Sequence, residues 1–317
     1  MVDITGEKSS QFEPEIKHYL QLLKPRVMRL VIFTAAVGLF AAPVSVHPII
    51  ILASLLCVAM GAGAAASLNM WWDADIDLIM TRTRRRPIPA GRVSSEQAVA
   101  LGLSLSVFSV MMLGLFANLV AAALLAFTIF FYVVVYSMWL KRFTAQNIVI
   151  GGAAGALPPM IGWSIAAGNI TVESVLMFLI IFAWTPPHFW TLALFVNSDY
   201  AKAKVPMLTV VKGKRSTRKH IFFYTIVLTL ISLLLAFTKI GGMAYFIVAV
   251  ALNGYFLIGT LQLVMKDEKH SRADNYRRER QIFLFSIFYL FALFAGIVLE
   301  VVLNNFHMQP KFWPTFL

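Results

Sequence analysis

The sequence predicts an all-α, polytopic membrane protein with nine transmembrane helices, the N-terminus in the cytoplasm and the C-terminus outside. Three observations predict it. The chain is 59% hydrophobic and only 13% charged, with a mean hydropathy of +0.77, far from the composition of soluble domains. Apolar runs of bilayer length recur at 27–46, 49–70, 96–116, 119–140, 147–167, 173–195, 220–239, 242–264 and 281–303. Of the 27 Lys and Arg, all but Lys239 and Lys311 fall in the N-terminal segment or in the loops after spans 2, 4, 6 and 8, as the positive-inside rule requires of nine spans. Topology thus accounts for the net charge of +12, which gives no argument for nucleic-acid binding.

In chain order, residues 1–23 form a polar N-terminal segment, 24–306 a single transmembrane domain and 307–317 a short outside tail. The first segment has no apolar core and carries Asp3, Glu7, Glu13 and Glu15, so it matches neither a secretory signal nor an Arg-rich transit peptide. A bacterial-type inner membrane is the simplest location. Lys24, Pro25, Arg26 and Arg29 open span 1 as an interfacial anchor, a substrate role being the other reading. Cys57 is the single cysteine, which rules out a disulfide framework. Gly61 to Ser67, GAGAAAS, lets neighbouring helices approach span 2 closely.

The segment 69–89, NMWWDADIDLIMTRTRRRPIP, carries the most informative chemistry. Asn69, Asp73 and Asp77 are spaced i, i+4, i+8. Each step of four turns a helix about 40° past a full turn and rises about 6 Å, so the three share one stripe, with Asp75 on nearly the opposite face. Unpaired carboxylates at the mouth of an apolar helix repel one another and resist desolvation. A cation among them relieves both, and Mg²⁺ takes one or two carboxylates and leaves the rest of its shell to water and phosphate oxygens. Arg82, Arg84, Arg85 and Arg86 follow, the residue type suited to bidentate phosphate recognition. The pattern predicts a metal–diphosphate site at a membrane surface. The plainer reading is a solvated loop with topology-setting arginines, which leaves the fourfold spacing unexplained.

The stretch 98–140 has no charge and would be about 65 Å long as one helix, twice a bilayer core, so it folds back near Asn118. Span 4 ends in YSMWLKR, where Lys141 either snorkels or reaches phosphate on the side of the acid row. Gly151 to Pro159, GGAAGALPP, suits close packing and a kink. In span 6, WTPPHFW, Pro186 and Pro187 are expected to disrupt the helix and free backbone carbonyls. His188 is then either satisfied by those carbonyls or lines a cavity as a base or as a ligand to a planar cofactor. The next loop holds Asp199, Tyr200, Lys202 and Lys204. The loops after spans 2 and 6 each bear acid then base, four spans apart, so as parallel repeats they would face each other across the mouth of the bundle. Loop 266–280 is balanced in charge and reads as solvated.

With Arg82 to Gly91 (RTRRRPIPAG), the N-x3-D-x3-D row resembles the UbiA superfamily of membrane prenyltransferases. Segments 136–147 (YSMWLKRFTAQN), 151–163, 184–190 and 198–213 (SDYAKAKVPMLTVVKG) resemble its haem-farnesylating branch. The resemblance runs over roughly residues 24–215 and implies a nine-helix UbiA-type bundle around a lipid-accessible cavity. It also implies Mg²⁺-dependent transfer of a farnesyl group from farnesyl diphosphate to a vinyl group of haem B, with water added to give haem O. Asp73 and Asp77 would then hold Mg²⁺ with help from Asn69 and Asp199. Arg82, Arg86, Lys141 and Lys202 would bind diphosphate, and His188 would contact haem. Membrane lipids are implied surroundings, and haem A synthase or terminal-oxidase assembly factors are implied partners; no nucleic acid is. One departure is that the position four after Asp199 is Ala203, where many quinone-type relatives carry a second acid, so Lys202 or Lys204 would hold diphosphate instead. The alternatives are a UbiA-type enzyme acting on a quinone precursor and, from another class, a secondary transporter.

The topology is testable directly. Reporter fusions after Asn118, Gly168, Lys239 and Pro310 should read outside, and fusions after Arg85, Arg142 and Lys214 inside. An inside reading near Gly168 or Lys239 would overturn the nine-span arrangement.

Overall fold

The computed structural model describes residues 15–305 and 313–315, all helical apart from connections. Most of the polar N-terminal segment, and Lys311 of the expected tail, lie outside the described residues. After a short α1 (Ile16–Leu22), Pro25 occupies the first turn of α2 (Pro25–Ala41), where its missing N–H costs nothing. α2 stops at Ala42, which is extended (φ −67°, ψ 138°) because the ring of Pro43 disfavours a helical residue before it. Pro48 opens α3 (Pro48–Trp72), which continues into α4 (Ala74–Ile79). α5 (Ser95–Phe116) begins with a Ser94–Gln97 capping box. The expected fold-back follows: the Asn118 side chain accepts from Ala121 N–H at 2.9 Å and starts α6 (Leu119–Phe130). α6 runs on through a π-helical stretch (Phe131–Leu140) into α7 (Lys141–Phe143).

The fifth expected span is α8 (Asn147–Ala156) and α9 (Pro158–Ala167), with Leu157 between them at the proline pair. α10 (Val172–Phe195) is followed by two short pieces, α11 (Asn197–Lys202) and α12 (Leu208–Val211). Then come α13 (Gly213–Leu235), α14 (Met243–Met265), α15 (Glu268–Ala273) and α16 (Arg277–Asn305). Among the described residues eight helices are long and apolar enough to cross a membrane. The remaining expected span, 27–46, is realised as the 17-residue α2, about 26 Å long.

α2 is nonetheless held tightly. A Cβ on Gly38 would fall 2.0 Å from the Pro159 carbonyl oxygen, and one on Gly162 1.8 Å from that of Ala35, so α2 and α9 pack backbone to backbone. The largest core gathers Met177, Ile180 and Trp184 of α10 with Tyr289, Leu290 and Leu293 of α16. Leu52, Leu115 and Leu230 point outward with more than 60% of their surface free, as lipid-facing residues do.

Two expectations are corrected here. Pro186 and Pro187 do not break span 6: α10 is continuous from Val172 to Phe195. Only two N–H donors are missing, and the hydroxyls of Thr185 and Thr191 bond the carbonyls of Ile181 and Pro187 (2.8 and 2.6 Å), securing the turns on either side. Loop 266–280 is not simply solvated. Glu279, fully buried, meets Arg218 at 3.1 Å and Ser271 at 2.7 Å. Glu268 meets Lys214 at 2.9 Å, Arg218 at 3.0 Å and Tyr276 at 2.6 Å. Burial would raise the Glu268 carboxyl, but hydrogen bonds from Tyr276, Lys214 and Arg272 outweigh it and hold it at about 2. The network ties the start of α13 to that of α16, because a buried charge persists only when paired.

Arg218→Ala would leave Glu279 buried without its guanidinium and should cost about 3–5 kcal/mol. Thermal unfolding in detergent should show a clear drop for this variant and none for Arg277→Ala, whose side chain is exposed.

Candidate functional site

The C-terminal end of α3 carries the acid row. The helix is interrupted at Asp73 (φ −89°, ψ 6°), yet the helical hydrogen bonds pass through it: Asp73 N–H donates to Asn69 O at 3.0 Å and Asp77 N–H to Asp73 O at 2.8 Å. The stripe register therefore survives the break. Asn69, Asp73 and Asp77 are all buried, at 4%, 0% and 2% exposure, whereas the Asp75 side chain is 63% exposed.

Each buried acid meets a cation from elsewhere in the chain. Asp73 Oδ2 takes Lys141 Nζ at 2.5 Å and Asn69 Nδ2 at 2.7 Å. Asp77 Oδ2 takes Arg86 at 2.6 Å, and its carbonyl accepts from Thr83 Oγ1 at 3.1 Å. Asn69 also donates to Ser137 Oγ at 2.9 Å and accepts from Lys24 Nζ at 2.6 Å. Asp73 Oδ1, by contrast, is buried without a hydrogen-bond partner. A carboxylate oxygen in that condition is suited to a cation. Outside the pocket Asp75 pairs with Arg142 through two bonds at 2.8 and 2.9 Å, and those bonds hold its carboxyl below the ordinary range.

Lys24 is the residue the sequence reading undervalued. It caps α2 in the left-handed region (φ 50°) and sends its ammonium among the acids instead of anchoring to lipid head groups. Enclosure, with Arg86 and Lys141 nearby, pushes it down to about 7. Ser137 was also missed, although it stands four residues before Lys141 and so shares its helical face. The π-helical stretch supplies Ser137, and α7, which continues it, supplies Lys141; the Ser137 hydroxyl donates to Tyr132 O, five residues back, at 2.8 Å.

The loops after spans 2 and 6 do meet. Thr81 Oγ1 donates to Asp199 Oδ1 at 3.2 Å, Arg82 stands near the Tyr200 hydroxyl, and Ile76 and Met80 pack against Tyr200, Val205 and Met207. Burial pushes the Tyr200 hydroxyl up while Arg82 pulls it the other way. Other assigned residues are less closely gathered. Among the described residues no three of His, Cys, Asp and Glu come together as a metal cluster, so Asp199 stays at the rim with Thr81. Lys202 is exposed and forms no ion pair with the row.

His188 sits apart, on the α10 face against α16. Its ring stacks between Trp184 (centroids 4.3 Å) and Phe283 (4.8 Å), and Nδ1 lies 2.7 Å from Ser286 Oγ. Its partner is thus a side chain of α16 and not a freed carbonyl. A recess of about 1410 Å³ opens at the opposite end of the bundle, between Trp163, Glu173, Lys239 and Asn304, away from the acid row.

A model of the UbiA prenyltransferase family matches residues 30–302. The curated protoheme IX farnesyltransferase of Roseobacter denitrificans is 58% identical over 298 residues, 94% of this chain and 95% of that protein. That of Ruegeria pomeroyi is 59% identical over 288 residues, 91% of each. Among solved structures, one described as digeranylgeranylglyceryl phosphate synthase superposes with a TM-score of 0.74 at 16% identity, over 90% of this chain and 98% of its own. A UbiA homolog from Archaeoglobus fulgidus bound to GPP and Mg²⁺ gives 0.60 at 15% identity, over 89% and 99%. At those identities the structures show the shared fold.

Lys24 gives a pH-dependent signature. Its folded value of about 7 lies below the ordinary 10.5, so between those limits the unfolded chain binds more protons and folding gains stability as pH rises. Melting temperature should therefore rise more from pH 7 to pH 10 in the unmodified chain than in Lys24→Met. Equal slopes would show that Lys24 is not enclosed among cations.

Proposed function

The chain belongs to the UbiA prenyltransferase family, a family of membrane enzymes, and from that premise we propose that it transfers a farnesyl group from farnesyl diphosphate to a vinyl group of haem B, giving haem O. The observation that carries the reading is the 58% identity over 94% of the chain to a protein named protoheme IX farnesyltransferase. The acid row and its cations supply a chemistry that fits. The positive-inside pattern supports an orientation with the basic end in the cytoplasm, and we assign the protein to a bacterial-type inner membrane.

The buried, unpartnered Oδ1 of Asp73 fits a divalent cation, as does the choice of hard oxygen groups around it. Asp73, Asp77 and Asn69 would hold Mg²⁺, with Asp199 contributing from the rim. When bound, the ion neutralises diphosphate and favours its departure. Arg86 and Lys141 are already held against carboxylates, so an entering diphosphate meets positioned cations, and Lys24, held at about 7 beside Asn69, takes up a proton more readily once that anion arrives. Arg82 and the exposed Lys202 extend that charge toward the loop from span 6. As the allylic C–O bond breaks, its electron pair leaves with diphosphate and these cations stabilise it. The vinyl π pair forms the new C–C bond, water supplies the hydroxyl and a proton is released. Apolar helices exclude bulk water until the acceptor has reacted. We assign His188 to haem, a planar ligand that its aromatic neighbours and neutral imidazole suit.

Haems extracted from cells expressing the chain, separated by chromatography and weighed, should include a species heavier than haem B by a farnesyl group and a hydroxyl group. Asp73→Asn and Asp77→Asn should abolish it with the protein still in the membrane, while Asp75→Asn retains most activity. Arg86→Lys should be damaging, since a point charge replaces a planar fork. A prenylated aromatic acid in place of farnesylated haem would overturn the acceptor.

A further inference from the structure

We infer that Ser286 is a positioning residue that fixes the tautomer of His188, so that Nε2 carries the lone pair presented to the haem iron. The inference rests on the assignment of His188 to haem and adds which nitrogen acts and what holds it.

The argument follows one proton. Ser286 Oγ stands 2.6 Å from the carbonyl oxygen of Phe283, one turn earlier on α16. Two oxygens at that separation require a hydrogen between them, and the carbonyl has none, so the hydroxyl donates. A hydroxyl has a single proton. Toward His188 Nδ1, at 2.7 Å, Ser286 Oγ can then only accept. Nδ1 must therefore carry the hydrogen, and in a neutral imidazole Nε2 is left as the acceptor and metal ligand. Hydrogen bonding of the distal nitrogen is how histidine ligands are generally oriented and made more basic.

The rest of the environment holds the same arrangement. The carbonyl of Ser286 itself accepts from Trp184 Nε1 at 2.7 Å, so one residue of α16 grips both aromatic side chains that flank a turn of α10. Trp184 stacks on the imidazole from one side and Phe283 from the other, and Phe189 meets it edge-on at 5.2 Å. The ring can neither tilt nor flip without breaking a contact. Ser286 is buried, so no water competes for Nδ1. Sequence alone gives no hint of this, because 98 residues separate the partners and a lone serine in an apolar span has no motif.

The test uses the full chain in detergent. Haem B is titrated while the Soret band is followed, and Mg²⁺-dependent pyrophosphate binding is measured in parallel as a readout of the intact acid row. Ser286→Ala should weaken haem binding about 10- to 100-fold and shift the Soret band, with pyrophosphate binding unchanged. Ser286→Thr, which keeps the hydroxyl, should restore both haem readouts. An unaltered haem titration in Ser286→Ala beside an impaired one in His188→Ala would overturn the positioning role alone. Unaltered titrations in both would overturn the assignment of His188 to haem. Should Ser286→Ala also lose pyrophosphate binding, ¹⁵N spectra of histidine-labelled unmodified chain decide, with the His188 signal identified by its loss in His188→Ala. A protonated Nδ1 and bare Nε2 support the inference, and a protonated Nε2 overturns it.

Discussion

Two carboxylates are taken out of solvent at the basic end of the bundle, and the surrounding structure is arranged so that they can remain there charged. An isolated buried carboxylate is costly enough that it would take up a proton, and neighbours at fourfold spacing would add repulsion. At Asp73 and Asp77 a cation touches each carboxylate and offsets that cost. The cations come from different places: Arg86 from the loop just after the row, Lys141 from the far end of the fourth expected span, and Lys24, by way of Asn69, from the cap of α2. Fixing those groups demands that α2, α3 and the π-helical stretch keep their mutual positions. The backbone contact of α2 with α9 and the interruption of α3 at Asp73 serve that requirement as much as they serve packing.

Within lipid, apolar side chains alone give helices little reason to prefer one another over acyl chains, so close backbone approach and interhelical hydrogen bonds decide which faces meet. The bundle shows both. Trp184 and His188 join α10 to α16 through Ser286, and Tyr289 joins α16 to α14 through Asn253 at 2.9 Å. Asn253 in turn reaches Ser232 of α13 at 2.8 Å, and Glu300 accepts from the Tyr245 N–H at the start of α14 at 2.6 Å. These bonds form a frame behind the aromatic wall that carries His188.

Much of this was legible in sequence wherever the signal was periodic. Eight of the expected spans, the fold-back at Asn118 and the common face of Asn69, Asp73 and Asp77 with Asp75 turned away follow from spacing that a helix converts into direction, and the meeting of the two loops follows from their four-span separation. What stayed hidden depends on partners distant in the chain. Lys24 read as an anchor because its neighbours are interfacial residues, and nothing local says that Asn69 lies within reach. Loop 266–280 read as solvated because alternating charges look the same whether they face water or Arg218. The prolines of span 6 were overweighted: losing two N–H donors does not end a helix that neighbouring helices and threonine hydroxyls support on every side.

The pairing of Asp73 with Lys141 also has a consequence for how the molecule is made. Asp77 acquires Arg86 only nine residues later in synthesis, but Asp73 leaves the ribosome 68 residues ahead of its lysine. Throughout that interval two further apolar segments must enter the bilayer before the carboxylate is neutralised. The acid row is thus completed only when the first half of the chain has assembled, and its charge balance becomes a mark that insertion has been completed in order.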